Sequence, residues 1–175
     1  LKQLLREYPL GSGEIKVSNV KLENIAVDVV HSWIGYVPQE QVLFSRSVRD
    51  NIKMGNPNAT EEQVMRVLES ASFAQDLQVL SDGLDTLVGE KGVALSGGQK
   101  QRISIARALL LHPEILILDD AMSAVDAKTE ANIIAHIREE RVGKTTLIST
   151  HRLSAVHHAD WIVVLDEGYI SEQGT

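Results

Sequence analysis

The sequence predicts an α/β fold with a mainly parallel sheet core and a helical subdomain. Two observations predict it. From residue 97 onward helical patterns alternate with short β-type runs, the order of a parallel α/β core. Within that region Ile115 to Leu118 is continuously apolar, as in strands buried on both faces. The stretch from about 47 to 91 carries mostly helical patterns instead and forms the expected subdomain, with 1–46 and 92–175 as the core.

Taken in order, LKQLLREY (1–8) reads as a helix with apolar residues at 1, 4 and 5. The chain opens inside that pattern without a methionine, which suggests a piece of a longer protein. Glu14 to Val17 and Ile34 to Val37 read as strands. TEEQVMRVLESAS (60–72) places Val64, Val67, Leu68 and Ala71 on one helix face. Thr60 and Gln63 supply its capping box, and Glu61 and Glu62 suit the positive end of its dipole. GGQKQRISIARALLLH (97–112) is a second helix, ended before Pro113. A third, 127–140, is punctuated by Gly143. Lys144 to Ser149 and Trp161 to Leu165 are two further strands. No internal repeat is visible.

Composition narrows the function. The 175 residues are 43% apolar and 23% charged, ordinary for a globular domain. A net charge of −7 argues against a general binder of nucleic acid or anionic membranes. The absence of cysteine excludes disulfides and thiolate metal sites. Apolar runs such as Trp161 to Leu165 are far shorter than the roughly 20 residues of a membrane helix.

In parallel α/β sheets, ligands gather outside the carboxyl ends of the strands. Gln39, the pair Asp119 and Asp120, and His151 all follow predicted strands, and all are polar. Asp119 ends ILILD, where an aspartate either caps the next helix or helps to hold Mg²⁺ beside a phosphate. Asp120 would then stand where an attacking water is polarised. His151 at the end of TTLIST suits a γ-phosphate contact. Gln39 also reads as a loop amide, and Asp126 as a cap for helix 127–140.

LSGGQ (95–99) admits two readings. Ser96 and Gln99 make a capping box, but two glycines in a first turn weaken a helix. Gly97 and Gly98 make sense if something must approach the backbone closely, and exposed N–H groups at a helix start favour phosphate. Gly143-Lys144-Thr145-Thr146 is a decoy. The phosphate loop G-x-x-x-x-G-K-[ST] needs a glycine at 138, where Arg138 stands, and it runs from strand to helix. This stretch runs from helix to strand and is a turn.

The ordered set YVPQ, VALSGGQKQR, ILILDD, SAVD and STHRLS resembles the ATP-binding cassette (ABC) family over nearly the whole chain. The resemblance implies a P-loop-type cassette that works as a dimer with ATP and Mg²⁺. Gln39 resembles the Q-loop glutamine, at the metal or water and sensing the transmembrane partner. Ser96, Gly97, Gly98 and Gln99 resemble the signature that closes on ATP held by the opposite cassette. Asp119 resembles the Walker B aspartate, Ser123 to Asp126 the D-loop, and His151 the switch histidine. VGEKG (88–92) resembles the X-loop that meets the coupling helices of exporters. The implied setting is the cytoplasmic face of the cell membrane, with export of a drug-like or lipid-like substrate and no nucleic-acid partner.

Two departures accompany the resemblance. The Walker A loop and the aromatic adenine-stacking residue are absent, and the family pattern would place that loop just before LKQLLREY. Without its N–H groups and lysine, ATP binding by these residues alone is expected to be very weak. Asp120 stands where the family usually has a catalytic glutamate. Its carboxylate is drawn back by roughly 1.5 Å, about one carbon–carbon bond. A misplacement near 1 Å can cost on the order of a hundredfold in rate. The substitution is similar to that in one subunit of heterodimeric multidrug exporters, whose paired sites are unequal. A non-hydrolysing interaction cassette and a soluble ATPase of the DNA-repair kind are the alternatives. The second is disfavoured by the acidic balance and by the short span between Gln39 and Ser96, which holds no sustained heptads.

Overall fold

A computed structural model describes residues 1–175. Its centre is a three-stranded parallel sheet in the order β3 (Ile34–Val37), β6 (Ile115–Asp119), β7 (Thr145–Ser149). β6 lies in the middle, pairing Ile34 with Ile115 on one side and Ile115 with Thr145 on the other. Its successive side chains alternate between faces. Leu116 and Leu118 join a cluster of 27 buried residues, whereas Ile117 belongs to a smaller cluster with Leu5, Leu22, Val30 and Ile34. Burial on both faces explains why ILIL lacks polar alternation.

The helices lie around this sheet in chain order: α1 (Val27–Trp33), α2 (Val48–Lys53), α3 (Glu61–Ser70), α4 (Ala74–Val79), α5 (Gly97–Leu110) and α6 (Ala127–Glu140). α5 packs against α2, α3 and β3, so the helical stretch and the sheet share one core. Thr60 caps α3 through a full capping box, and Val64, Val67 and Leu68 are buried along it. α5 stops at Leu110, two residues short of its predicted end, because His112 turns left-handed (φ 48°) ahead of Pro113. Gly143 (φ 81°) reverses the chain after α6 and Thr145 and Thr146 open β7, so the G-K-T-T stretch runs from helix through a turn into strand, not from strand to helix.

Three expectations need correction. Residues 1–8 form hydrogen-bonded turns rather than a helix. Arg6 takes a left-handed backbone (φ 57°), which stops a helical run too short to propagate. The strand at 14–17 shrinks to β1 (Lys16–Val17), paired antiparallel with β2 (Val20–Lys21). Ser18 and Asn19, both at positive φ, make the two-residue turn whose twist suits a hairpin. β8 (Ile162–Asp166) does not join the parallel sheet. It pairs antiparallel with β9 (Tyr169–Gly174) through a turn at Glu167 and Gly168, again both left-handed. A local turn thus fixes its partner, where strand–helix–strand order alone had suggested a parallel one. β4 (Arg46–Ser47) and β5 (Leu87–Val88) form another short antiparallel pair inside the helical stretch. No helix is long and apolar enough to cross a membrane.

The doubly buried strand generates a stability prediction. Leu118→Ala should lower the free energy of unfolding by about 2–5 kcal/mol. Val142→Ala, at a side chain 84% exposed, should change it by less than about 0.5 kcal/mol. Denaturant unfolding of both variants checks this, and equal effects would contradict the assigned core.

Candidate functional site at the carboxyl edge of the sheet

The order β3-β6-β7 sets three polar groups side by side. Gln39 follows β3 by two residues, Asp119 ends β6 with Asp120 just beyond it, and His151 follows β7 by two residues. Gln39 Nε2 donates to Asp120 Oδ2 at 3.2 Å, so two of the predicted residues meet directly. Asp120 has φ 46°, and its N–H donates to Ser149 O at 2.8 Å, tying the end of β6 to the end of β7. Aspartate is one of the few residues at ease in this backbone region, where its short polar side chain bonds locally. His151 is exposed at the bend beyond β7.

Tyr36, which the motifs did not single out, donates its hydroxyl to Asp119 Oδ2 at 3.1 Å. Burial, then this hydrogen bond and the adjacent charge, push its phenol up to about 12. It stays protonated at neutral pH and keeps its proton to donate to Asp119. The alternation along β3 points to it after the fact: Tyr36 pairs with Ile117, and Asp119, two residues further along β6, shares that face.

The chain beyond Gln39 is held by a buried amide. Asn51 accepts from Phe44 N–H at 2.9 Å and donates to Phe44 O and Ser47 O, both at 3.0 Å. Arg107 Nε donates to Asn51 O at 2.8 Å, and burial lowers its pKa. The loop therefore rests on α2 and α5.

At the start of α5, Ser96 and Gln99 form the predicted capping box. Gln99 also donates from Nε2 to Asp76 Oδ1 at 2.9 Å, so both ends of its amide are engaged. Asp76 receives Arg102 as well, at 2.5 Å, with the guanidinium 5.5 Å from the Phe73 ring centre. The close approach inferred for Gly97 and Gly98 exists, and the chain itself supplies it. A Cβ on Gly98 would lie 2.7 Å from Ala124 O, and one on Gly97 would lie 3.2 Å from Ala124 Cβ. The glycines thus seat the loop after β6 against the helix start, a requirement separate from any phosphate. Gln101, 4% exposed, completes the seat by donating to Ser123 Oγ at 3.0 Å and accepting from Ala124 N–H at 2.9 Å. Asp126 caps α6 by accepting from Thr129 N–H at 3.0 Å, and the Thr129 hydroxyl, then this N–H, hold its carboxyl pKa down.

The donor set at the sheet edge is two carboxylates and one amide, all hard oxygens. Mg²⁺ accepts such ligands and commonly relies on one or two carboxylates, water and substrate phosphates. No third carboxylate or histidine joins them in a cluster that would hold a metal by itself. The residues fit a metal shared with a phosphate ligand.

A parallel core with acids at its carboxyl edge, beside a capped glycine-led helix, is an α/β domain of the class that binds ligands at that edge. The profile of the family described as "ABC transporter" matches residues 1–123. The chain is 62% identical over its full length to a probable multidrug resistance ABC transporter ATP-binding/permease protein of Bacillus subtilis, covering 30% of it. It is 46% identical over 99% of its length to the multidrug resistance-like ATP-binding protein MdlA of Escherichia coli, again covering 30%. A solved bacterial Atm1-family ABC exporter with ATP bound superposes with a TM-score of 0.94 at 37% identity, covering 99% of this chain and 31% of that one. The chain belongs to the ABC transporter family and spans about 30% of the length of these curated relatives.

Two predictions come from this geometry. Gly98→Ala should cost on the order of 1–3 kcal/mol by overpacking against backbone. Gly97→Ala should cost less, because its neighbour is one methyl group. Matching thermal midpoints for the two variants would contradict the seat. The second concerns acid. Burial pushes the Asp76 carboxyl up, but hydrogen bonds from Arg102 and Gln99 and the charge of Arg102 outweigh it and hold the pKa down. A depressed folded-state pKa adds stability above the unfolded value of about 4, lost as pH falls through the folded value. Asp76→Asn should flatten the acid limb of stability against pH and lower stability at neutral pH. An unchanged acid limb would remove Asp76 from that account.

Proposed function

We propose that this cassette couples ATP binding and hydrolysis to substrate export, as the nucleotide-binding part of an exporter that works with a second cassette. The observation that carries the reading is the meeting of Gln39 with Asp120 beside Asp119, at the carboxyl edge of three adjacent parallel strands. Names given to the relatives support multidrug export as the process. ATP and Mg²⁺ are the cofactors of this reading.

In the proposed division, the core (1–46 and 92–175) carries Gln39, Asp119, Asp120 and His151, and the stretch from about 47 to 91 is the helical part. Bound MgATP supplies the phosphoryl group and the charge neutralisation for its transfer to water. Asp119 and Gln39 would hold the metal, with the Tyr36 hydroxyl fixing one Asp119 oxygen. Asp120 would face the water position on an arm one methylene short, too far to take the proton of that water efficiently. His151 contacts the γ-phosphate. Ser96, Gly97, Gly98 and Gln99, with Asp126, face nucleotide held by the partner cassette. The N–H groups at the start of α5 favour an anion there.

A cleft of about 210 Å³ beside the Gln39 loop supports docking of transmembrane coupling helices. It is lined by Tyr36, Pro38, Gln41, Met54, Arg107 and Leu111 among others, and its Ser104 hydroxyl and Gln41 carbonyl oxygen have no partner within the chain. The cytoplasmic face of the membrane and a heterodimer partner with a competent glutamate complete the reading.

The arm length gives its test. In the intact protein with its partner, Asp120→Glu should raise ATP turnover at the weak site by one to two orders of magnitude, the cost assigned to a misplacement near 1 Å. An unchanged or lower rate, measured with the partner's own site inactivated, would contradict the assignment of Asp120.

A further inference from the structure

Arg152 follows His151 directly and reaches away from it. Its Nη1 donates to Glu130 Oε2 at 2.9 Å and to Val125 O at 2.7 Å, and its Nη2 donates to Ser123 O at 2.7 Å. Glu130 is a charged residue only 1% exposed, on the first turn of α6, and its other oxygen accepts from Ser154 Oγ at 2.7 Å. A carboxylate so buried must be paired and hydrogen-bonded to remain charged. One guanidinium does this and still has donors to spend on two backbone carbonyls of the loop after β6.

That loop is the one whose Ala124 packs on Gly97 and Gly98 and whose Ser123 and Ala124 are held by Gln101. It is therefore gripped from two sides, by α5 through an amide and by the segment after β7 through a guanidinium. Two carbonyls separated by one residue suit a planar fork with donors on both outer nitrogens. A lysine offers one compact ammonium on a flexible stem and cannot span the same set in fixed geometry.

We propose that Arg152 is a positioning residue for the face that this cassette presents to its partner's nucleotide. By fixing Ser123 O and Val125 O it sets the seat of Gly97 and Gly98, and through it the alignment of Ser96 and Asp126. The same contact joins that face to the backbone that carries His151. The inference rests on the reading of Ser96 to Gln99 as a partner-facing signature.

Its test uses the intact protein assembled with its partner cassette, following ATP turnover, nucleotide-dependent closure by distance labels across the two cassettes, and thermal midpoint. Arg152→Lys keeps a cation beside Glu130, so folding should be retained. Its kcat should fall about tenfold, the size expected for a sub-ångström to ångström displacement of an aligned group. The KM for ATP should stay unchanged, since the lost alignment matters only on closure. Arg152→Gln should show the same split more strongly, with closure impaired. Wild-type kcat in a folded Arg152→Lys variant would overturn the proposal. So would loss of folding in both variants, which would make the contact a matter of stability alone. Gly97→Asp separates the two levels. If it leaves turnover normal, the signature reading fails, and this inference with it. If it abolishes turnover while Arg152→Lys behaves as wild type, only the Arg152 role fails.

Discussion

Parallel pairing of β6 with strands on both sides is the constraint from which the site follows. A strand hydrogen-bonded on two edges and buried on two faces has no freedom of register, because a one-residue slip would carry Leu116 and Leu118 out of the main core. Its carboxyl end is fixed to the same degree. Asp119 and Asp120 thereby come to a set depth beside the ends of β3 and β7. The left-handed turn at Asp120, anchored on Ser149 O, then swings the second acid toward Gln39 while the first remains under Tyr36. Two adjacent acids acquire different neighbours because the backbone reverses between them.

The loop that leaves β6 carries that fixed position outward to the molecular surface. Gln101 and Arg152 hold its backbone from opposite sides, and Gly97 and Gly98 have no side chains because Ala124 occupies the space. The glycines therefore answer a packing demand inside the chain, and the exposed N–H groups of the helix start are a consequence available for anion binding. One structural choice meets both needs. Ser96 and Gln99 likewise satisfy one another while leaving the first turn of α5 open.

Much of this was legible in the sequence wherever a local rule is strong. Ile34–Val37, Ile115–Leu118 (one residue short of the observed strand), the capping boxes of Thr60 and Ser96, and helix 127–140 follow from periodicity and cap chemistry close in the chain. Gln39, Asp119, Asp120 and His151 were identified by their places after strands, and the sheet order brings those places together. The hairpins at 16–21 and 162–174 were missed because turns at Ser18-Asn19 and Glu167-Gly168, rather than strand propensity, decide them. Tyr36, Gln101 and Arg152 were missed for another reason. Each acts through contacts to residues far along the chain, Tyr36 across 83 positions, and no local pattern marks such pairs.

The central claim is that Asp119 and Asp120 divide the chemistry, one on the metal side and one at the water position with too short a reach. A structure of the intact cassette dimer with MgATP and a visible attacking water measures both distances at once. The account predicts that the Asp119 carboxylate lies in or against the magnesium coordination sphere, while both Asp120 oxygens stop beyond hydrogen-bond distance of the water. An Asp120 oxygen within about 3 Å of that water would contradict it.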